Sequence, residues 1–149
     1  LVLVLDVIKG VVCVTLWGAI ATQFDLRLAP LFLFLCGVVA VMGHNWTIFL
    51  NFKGGKGVAA TLGILLGLFP LPTAITAVIA ISVIAITHYV SVGSLLGAIL
   101  FPVMFVIFCH DREGFPLFLA IICVIALMIV IRHQKNIKRL LKGEENKAF

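Results

Sequence analysis

The chain has 149 residues, 63% of them apolar and only 11% charged, with a net charge of +5 and a mean hydropathy of +1.28. A soluble domain of this length is nearer half apolar and a quarter charged, so this chain cannot cover its own surface with polar groups, and the composition is that of an integral membrane protein. Nucleic acid is excluded as the reason for the positive charge, because the basic residues lie between and after apolar runs and follow membrane topology instead.

The predicted elements run as six apolar segments. A bilayer core needs about 20 apolar residues as helix, fewer for a short or half-inserted one. The first segment covers Leu1 to Thr22 and ends at the polar turn QFDLRLAP; the second covers Leu31 to Leu50, with a polar end at Gly43, His44 and Asn45. A KGGKG loop follows, then Val58 to Phe69, which stops at Pro70 and Pro72 because proline breaks a helix. Thr73 to Thr87, Ser94 to Cys109, the charged turn HDREG and Phe115 to Ile131 complete the series. Val58–Phe69 and Thr73–Thr87 are short for spans and read as two short helices rather than one kinked re-entrant pair. The expected fold is an all-α polytopic membrane helix bundle of about six transmembrane helices in one domain, residues 1–149. The tail RHQKNIKRLLKGEENKAF is amphipathic and basic and is expected along the membrane surface. Cys13, Cys36, Cys109 and Cys123 all sit inside apolar runs with no close pair and read as small buried hydrophobes. The chain starts at Leu1 rather than Met, and Asp6 and Lys9 do not fit a plain signal-peptide core, so residue 1 is expected inside a longer natural protein.

Loop charge sets orientation. One side collects Lys53, Lys56, Arg132, Lys135, Lys138, Arg139, Lys142 and Lys147; the other has Arg27 and Arg112, each beside acids. The positive-inside rule puts the KGGKG loop and the tail in the cytoplasm. Four polar islands then fall on that face: Asp6 with Lys9, His44 with the KGGKG loop, His88 with Ser91 and Ser94, and His133 with Asn136. Polar groups near hydrocarbon are costly and usually face a protein interior or a wet cavity, so their coincidence on one face is the functional signal.

Each island also has a plainer reading. Successive glycines can point backbone N–H groups into one concavity, a helix starting near Val58 adds its positive end, and Lys53 and Lys56 add charge, which suits a phosphate or acyl phosphate. The plainer reading is a flexible basic loop obeying the topology rule. It is not a nucleotide P-loop, since Lys56 is followed by Gly57 and Val58 rather than Ser or Thr. Asp6 and Lys9, three apart, share a helix face and can neutralise each other or organise a site. His133 and Asn136 are also three apart and can donate and accept, or merely solvate the tail. Ser91 and Ser94 share a face, though mid-helix serines often bond their own backbone, and His44 can be a structural hydrogen bonder.

The stretches LDVIKG, GHNWTIFLNFKGGKGVA, YVSVGS and RHQKNIKRLLKGEENK, in this order, resemble the bacterial membrane glycerol-3-phosphate acyltransferases that use acyl phosphate, the PlsY family, over essentially the whole chain. The resemblance implies transfer of a fatty acyl group from acyl phosphate to the sn-1 hydroxyl of glycerol 3-phosphate, giving lysophosphatidic acid, the first acylation step of bacterial phospholipid synthesis, with no cofactor, no acyl-CoA and no metal. It places Gly54, Gly55, Lys56 and Gly57 in the family's phosphate loop with Lys53 before it, Ser94 at a serine facing the substrate phosphate, and His133 and Asn136 in its last motif. Asp6, Lys9, His44 and Glu145 are expected to organise the site. It also implies a monomer in the bacterial inner membrane with the active site facing the cytoplasm. Two positions depart from the family pattern: Thr47 stands where proline is usual, and His88 where Arg or Lys is usual. The family fold has seven spans, and its first span and a GSGNxGATN-type loop are expected upstream of Leu1. The chain alone, without them, is expected to have little activity.

An acyl phosphate is already activated, so the protein needs mainly to hold two anions and aim a hydroxyl at a carbonyl; no triad spacing supports a covalent acyl-enzyme. The competing class is a small membrane carrier or channel for phosphorylated solutes, which should show polar residues through the membrane midplane; here the span middles are almost purely apolar. A purely structural membrane subunit would need neither KGGKG nor His133 and Asn136. The charge count yields a first prediction. With the native cysteines replaced, cysteines introduced at Lys56 and Glu113 label from opposite sides of the membrane; labelling of both from one side overturns the six-span topology.

Overall fold

A computed structural model describes residues 2–23, 29–46, 51 and 54–149. All regular structure among them is helical: α1 (Val2–Gln23), α2 (Ala29–Asn45), α3 (Val58–Leu68), α4 (Pro70–Thr87), α5 (Val90–Cys109), α6 (Phe115–Arg132) and α7 (Gln134–Lys142). Six of these answer one for one to the six apolar segments, and the seventh is the basic tail, so the all-α membrane architecture is met. Helices α4, α5 and α6 are each long and apolar enough to cross a membrane. Their outward residues, such as Val78, Ile86, Val124 and Leu127, are large, apolar and exposed, as a lipid-facing surface requires.

Three boundaries differ from expectation. Helix α4 begins at Pro70 rather than Thr73 and so reaches 18 residues. Proline lacks only an N–H that the first turn of a helix leaves unpaired anyway, so Pro70 ends α3 and opens α4. Helix α5 begins at Val90 rather than Ser94, because the chain break lies at His88, whose φ of 63° is left-handed, and at the extended Tyr89. Helix α2 ends at Asn45; residues 47–50, which the expected second segment included, lie outside the described residues, as do Thr47 and Lys53.

The chain forms two compact units, Leu1–Pro70 and Leu71–Phe149. In the first, α1 and α3 touch backbone to backbone. A Cβ on Gly10 would lie 2.5 Å from the Ala60 carbonyl oxygen, and one on Gly63 would strike the Val7 carbonyl oxygen. Helix α2 joins them through Gly37, where a Cβ would meet the Ile64 side chain at 2.6 Å, and through Phe34, buried and edge-on to Phe69 with centroids 6.0 Å apart. Helix α3 has 11 residues, a length of roughly 16 Å at 1.5 Å per residue. That is about half the ~30 Å hydrocarbon thickness, so α3 is a half-length helix wedged between two longer ones.

In the second unit α5 and α6 pack through stacked Phe105 and Phe115, whose centroids are 5.6 Å apart. The turn between them closes on Gly114, left-handed with φ 75°. The buried face of α6 is Phe118, Ile122, Ile125 and Ile129, a spacing of three and four residues along one helix side. It ends at His133.

The glycine contacts separate by what a methyl group would hit. Gly10→Ala forces two backbones apart and is expected to cost about 1–3 kcal/mol, the usual scale of overpacking. Gly43→Ala, with nothing within 4 Å of its Cβ, is expected to be neutral or to gain about 0.5–1 kcal/mol from helix propensity. Thermal melting of the two variants in detergent checks this; equal melting points would contradict the close crossing.

Candidate active site

The site residues of the first unit collect where α2 stops. A helix C-terminus leaves its last carbonyls without intrahelical partners, and here the glycine loop supplies them. The Gly54 N–H donates to the Asn45 carbonyl at 3.2 Å and the Gly55 N–H to the His44 carbonyl at 3.3 Å. Glycine is needed at both places: a Cβ on Gly54 would strike the His44 carbonyl oxygen, and one on Gly55 the His44 Nε2. Gly57, left-handed with φ 78°, precedes α3, and a Cβ there would lie 2.8 Å from the fully buried Asn45 side-chain oxygen.

This corrects the expected cradle in one respect. The N–H groups of Gly54 and Gly55 are engaged at the end of α2, because capping a helix inside a membrane protein is the more urgent demand on them. The part of the loop that adjoins a helix N-terminus is its far end. There, half-buried Lys56 leads through Gly57 into α3, whose first turn has no side-chain cap. The first-turn N–H groups and dipole of a helix favour negative charge at such a place.

Asp6 and Lys9 meet as their spacing predicts, Nζ to Oδ1 at 3.7 Å. The same Asp6 oxygen also lies 3.5 Å from His44 Nδ1, joining α1 to the end of α2. Lys9 is 69% exposed in its side chain and Asp6 only 13%, so His44, itself largely buried, is the shielded partner.

In the second unit the centre is the joint between α6 and α7. His133, 1% exposed, occupies it. Its Nδ1 lies 2.8 Å from the Ile129 carbonyl oxygen. A carbonyl only accepts, so Nδ1 carries the hydrogen in this contact. One turn on, the Asn136 amide Nδ2–H donates to Glu145 Oε1 at 2.6 Å, and the Arg139 Nε–H donates to Glu145 Oε2 at 2.7 Å. Glu145 reaches back because α7 ends on Gly143, left-handed with φ 71°. There the Gly143 and Glu144 N–H groups donate to the Leu140 and Arg139 carbonyls at 3.1 and 2.8 Å, a Schellman closure. The returning strand then docks at the α4–α5 junction: the Ala148 N–H donates to the His88 carbonyl at 2.7 Å, and Phe149 meets the His88 ring edge-on at 4.8 Å. Residues 144–149 therefore turn back onto the protein and do not prolong a surface helix.

Hydrogen bonding from Asn136 holds the Glu145 carboxyl well below its ordinary 4.5, down to about 2; burial pulls the other way, and the Ser91 hydroxyl and Arg139 add to the depression. Ser91 is buried and faces this carboxylate without closing a hydrogen bond by strict geometry. Thr76, Ser82 and Thr87 all bond the carbonyl four residues back. Ser91 sits in the first turn of α5 and has no helical carbonyl there to bond. Ser94, the serine expected to face substrate, is half-buried one turn further along α5.

The sequence alone presents Arg139 only as topological charge and Asn45 only as part of a polar segment end, whereas Asn45 underlies Gly57. Ser91 and Ser94 share a helix face, and only Ser91 lies beside the Glu145 carboxylate. The one available signal for Arg139 was the glycine at 143, which allows an acid after a helix to return to a base within it.

These features define an integral membrane protein whose polar groups lie at helix ends rather than in mid-span. Residues 1–143 match the family model for glycerol-3-phosphate acyltransferase. Similar proteins include the glycerol-3-phosphate acyltransferases of Halalkalibacterium halodurans, 40% identical over 98% of this chain and 69% of that one, and of Fusobacterium nucleatum, 41% identical over 98% and 70%. Two crystal structures of PlsY, an integral membrane glycerol 3-phosphate acyltransferase, superpose at 30% identity. The lysophosphatidic acid form gives a TM-score of 0.77, covering 98% of this chain and 70% of that one; the glycerol 3-phosphate form gives 0.78, covering 98% and 68%. The chain belongs to the glycerol-3-phosphate acyltransferase family, and this sets the carrier and structural-subunit readings aside.

The Glu145 clamp carries a pH prediction. A carboxyl lowered by folding stabilises the folded tail fully above its ordinary value near 4.5, and that contribution drains away as pH falls to about 2. The amide protection factors of residues 144–149, taken against intrinsic exchange at each pH, are expected to fall across that interval. In Glu145→Gln the protection is weaker and flat over the same range; an unchanged pH profile in that variant would refute the clamp.

Proposed function

We propose that the chain catalyses acylation of the sn-1 hydroxyl of glycerol 3-phosphate by a fatty acyl phosphate. The hydroxyl oxygen bonds to the acyl carbon, the bond from that carbon to the phosphate oxygen breaks, and phosphate leaves with the electron pair. The product is lysophosphatidic acid, at the first acylation step of bacterial phospholipid synthesis. The observation that carries the reading is the start of α3, uncapped, preceded by left-handed Gly57 and Lys56: it is an electropositive helix end of the kind that holds phosphate. Lys56, Gly57 and the first turn of α3 are assigned to substrate phosphate, with Lys53 as a further contact, while Gly54 and Gly55 seat the loop; in the second unit, Ser94 is assigned to substrate as the family resemblance implies. Two acceptors for the hydroxyl proton suit the chemistry, a phosphate oxygen of the substrates and the His133 imidazole. Asn136 and Glu145 hold the α6–α7 joint in which His133 lies. In this reading residues 1–149 belong to one integral membrane acyltransferase domain of a monomer, in the plasma membrane of a bacterium, with its chemistry at the cytoplasmic face.

Phosphate release from palmitoyl phosphate in the presence of glycerol 3-phosphate tests it. Lys56→Ala is expected to reduce use of the anionic substrates by about ten- to more than a hundredfold, the loss of a charge-assisted contact of about 1.5–3 kcal/mol. Lys53→Ala, before the glycine turn, is expected to cost less. Unchanged constants in folded Lys56→Ala protein return the loop to a topological role.

A further inference from the structure

We infer that Asp6 and His44 form a positioning relay that fixes the Gly54–Gly57 loop, and through it Lys56 and the start of α3, for substrate phosphate. The inference rests on the acyl-transfer reading above. Its geometry has three contacts. Asp6 Oδ1 lies 3.5 Å from His44 Nδ1, so the carboxylate, which only accepts, turns that ring nitrogen toward α1. The opposite edge of the ring, at Nε2, then abuts Gly55 so closely that no side chain fits there. The loop meanwhile hangs by its Gly54 and Gly55 N–H groups on the Asn45 and His44 carbonyls. The loop is thus held at its backbone by α2 and at its face by a ring whose orientation α1 sets.

The anchor of the relay is itself rigid. Val7, the residue after Asp6, presents its carbonyl to Gly63, and Gly10 lies against Ala60. Asp6 therefore projects from the segment of α1 that α3 grips. The two ends of the loop, the close of α2 and the opening of α3, are referenced to one short stretch of α1. A helix so placed fixes where Lys56 points without touching substrate. Lys9, mostly exposed, adds little to the relay, as surface ion pairs generally do.

Steady-state kinetics in membranes containing the full-length protein separate this from simple structural support. In Asp6→Asn and in His44→Ala the KM for glycerol 3-phosphate is expected to rise about tenfold, the lower end of what a displaced binding group brings, while kcat stays within about twofold. The double variant is expected to be no worse than the poorer single one, because both changes cut the same relay. His44→Gln, which keeps a donor for Asp6, should recover part of the KM. A loss confined to kcat and to folded yield, or full multiplication of effects in the double variant, overturns the relay. Lys56→Ala is measured alongside. If it raises KM while Asp6→Asn and His44→Ala do not, the relay alone is wrong; if Lys56→Ala also leaves KM unmoved, the phosphate-loop reading and the relay fall together.

Discussion

The first unit depends on main chain approaching main chain with no side chain between. Within lipid there is little hydrophobic drive for helices to associate, so packing and backbone satisfaction must hold them together, and small residues at crossings permit it. Gly10 and Gly63 let α1 and α3 meet at contact distance, and Gly54 and Gly55 let the loop reach the end of α2. These are two versions of one solution, helix against helix and loop against helix end. The half-length helix α3 follows from it. A helix gripped so closely by α1 can stop midway, at Phe69, and present its N-terminus where Lys56 enters.

The second unit solves the same problem with a carboxylate. The end of α7 is closed by Gly143, and the chain that returns carries Glu145 into a nearly closed setting, 6% exposed in its side chain. A charge there is tolerable only with hydrogen-bonded partners, and Asn136 and Arg139 provide them. Asn136 is thereby held by the tail, and the segment between it and His133 is a single helical turn. The arrangement makes a short, basic helix, weak on its own at nine residues, into a fixed support for the histidine at its head.

Much of this was legible in the sequence because lipid imposes a simple grammar: apolar runs become helices, and glycine, proline and charge mark their ends. The pairing of Asp6 with Lys9 followed from a three-residue spacing, as did the common face of His133 and Asn136. What could not be read was the use of groups that carry no side-chain signal. Nothing in KGGKG says whether an N–H points at a phosphate or at a neighbouring carbonyl. The Asp6–His44 contact links residues 38 positions apart on different helices, and the Glu145 clamp depends on a turn, so neither obeys a helical period. The start of α5 moved from Ser94 to Val90 because one left-handed histidine, not a glycine or proline, breaks the chain there; that shift is what brought Ser91 rather than Ser94 to the tail.

The double use of the glycine loop bears on how its chemistry should be understood. A loop rich in glycine is easily taken as a cradle in which every N–H faces the ligand. Here all three glycines are required by contacts within the protein, so adding a methyl group at Gly54 or Gly55 would displace the loop from α2 before it disturbed any bound anion. Loss of substrate affinity after such a change would therefore report position, whereas loss after removal of the Lys56 ammonium would report charge. The distinction matters because electrostatic stabilisation is effective only when the charge is already in place as the reaction proceeds. On this view the glycines and Lys56 have separate tasks in one short segment: the former fix where the loop lies, and the latter gives that place its sign.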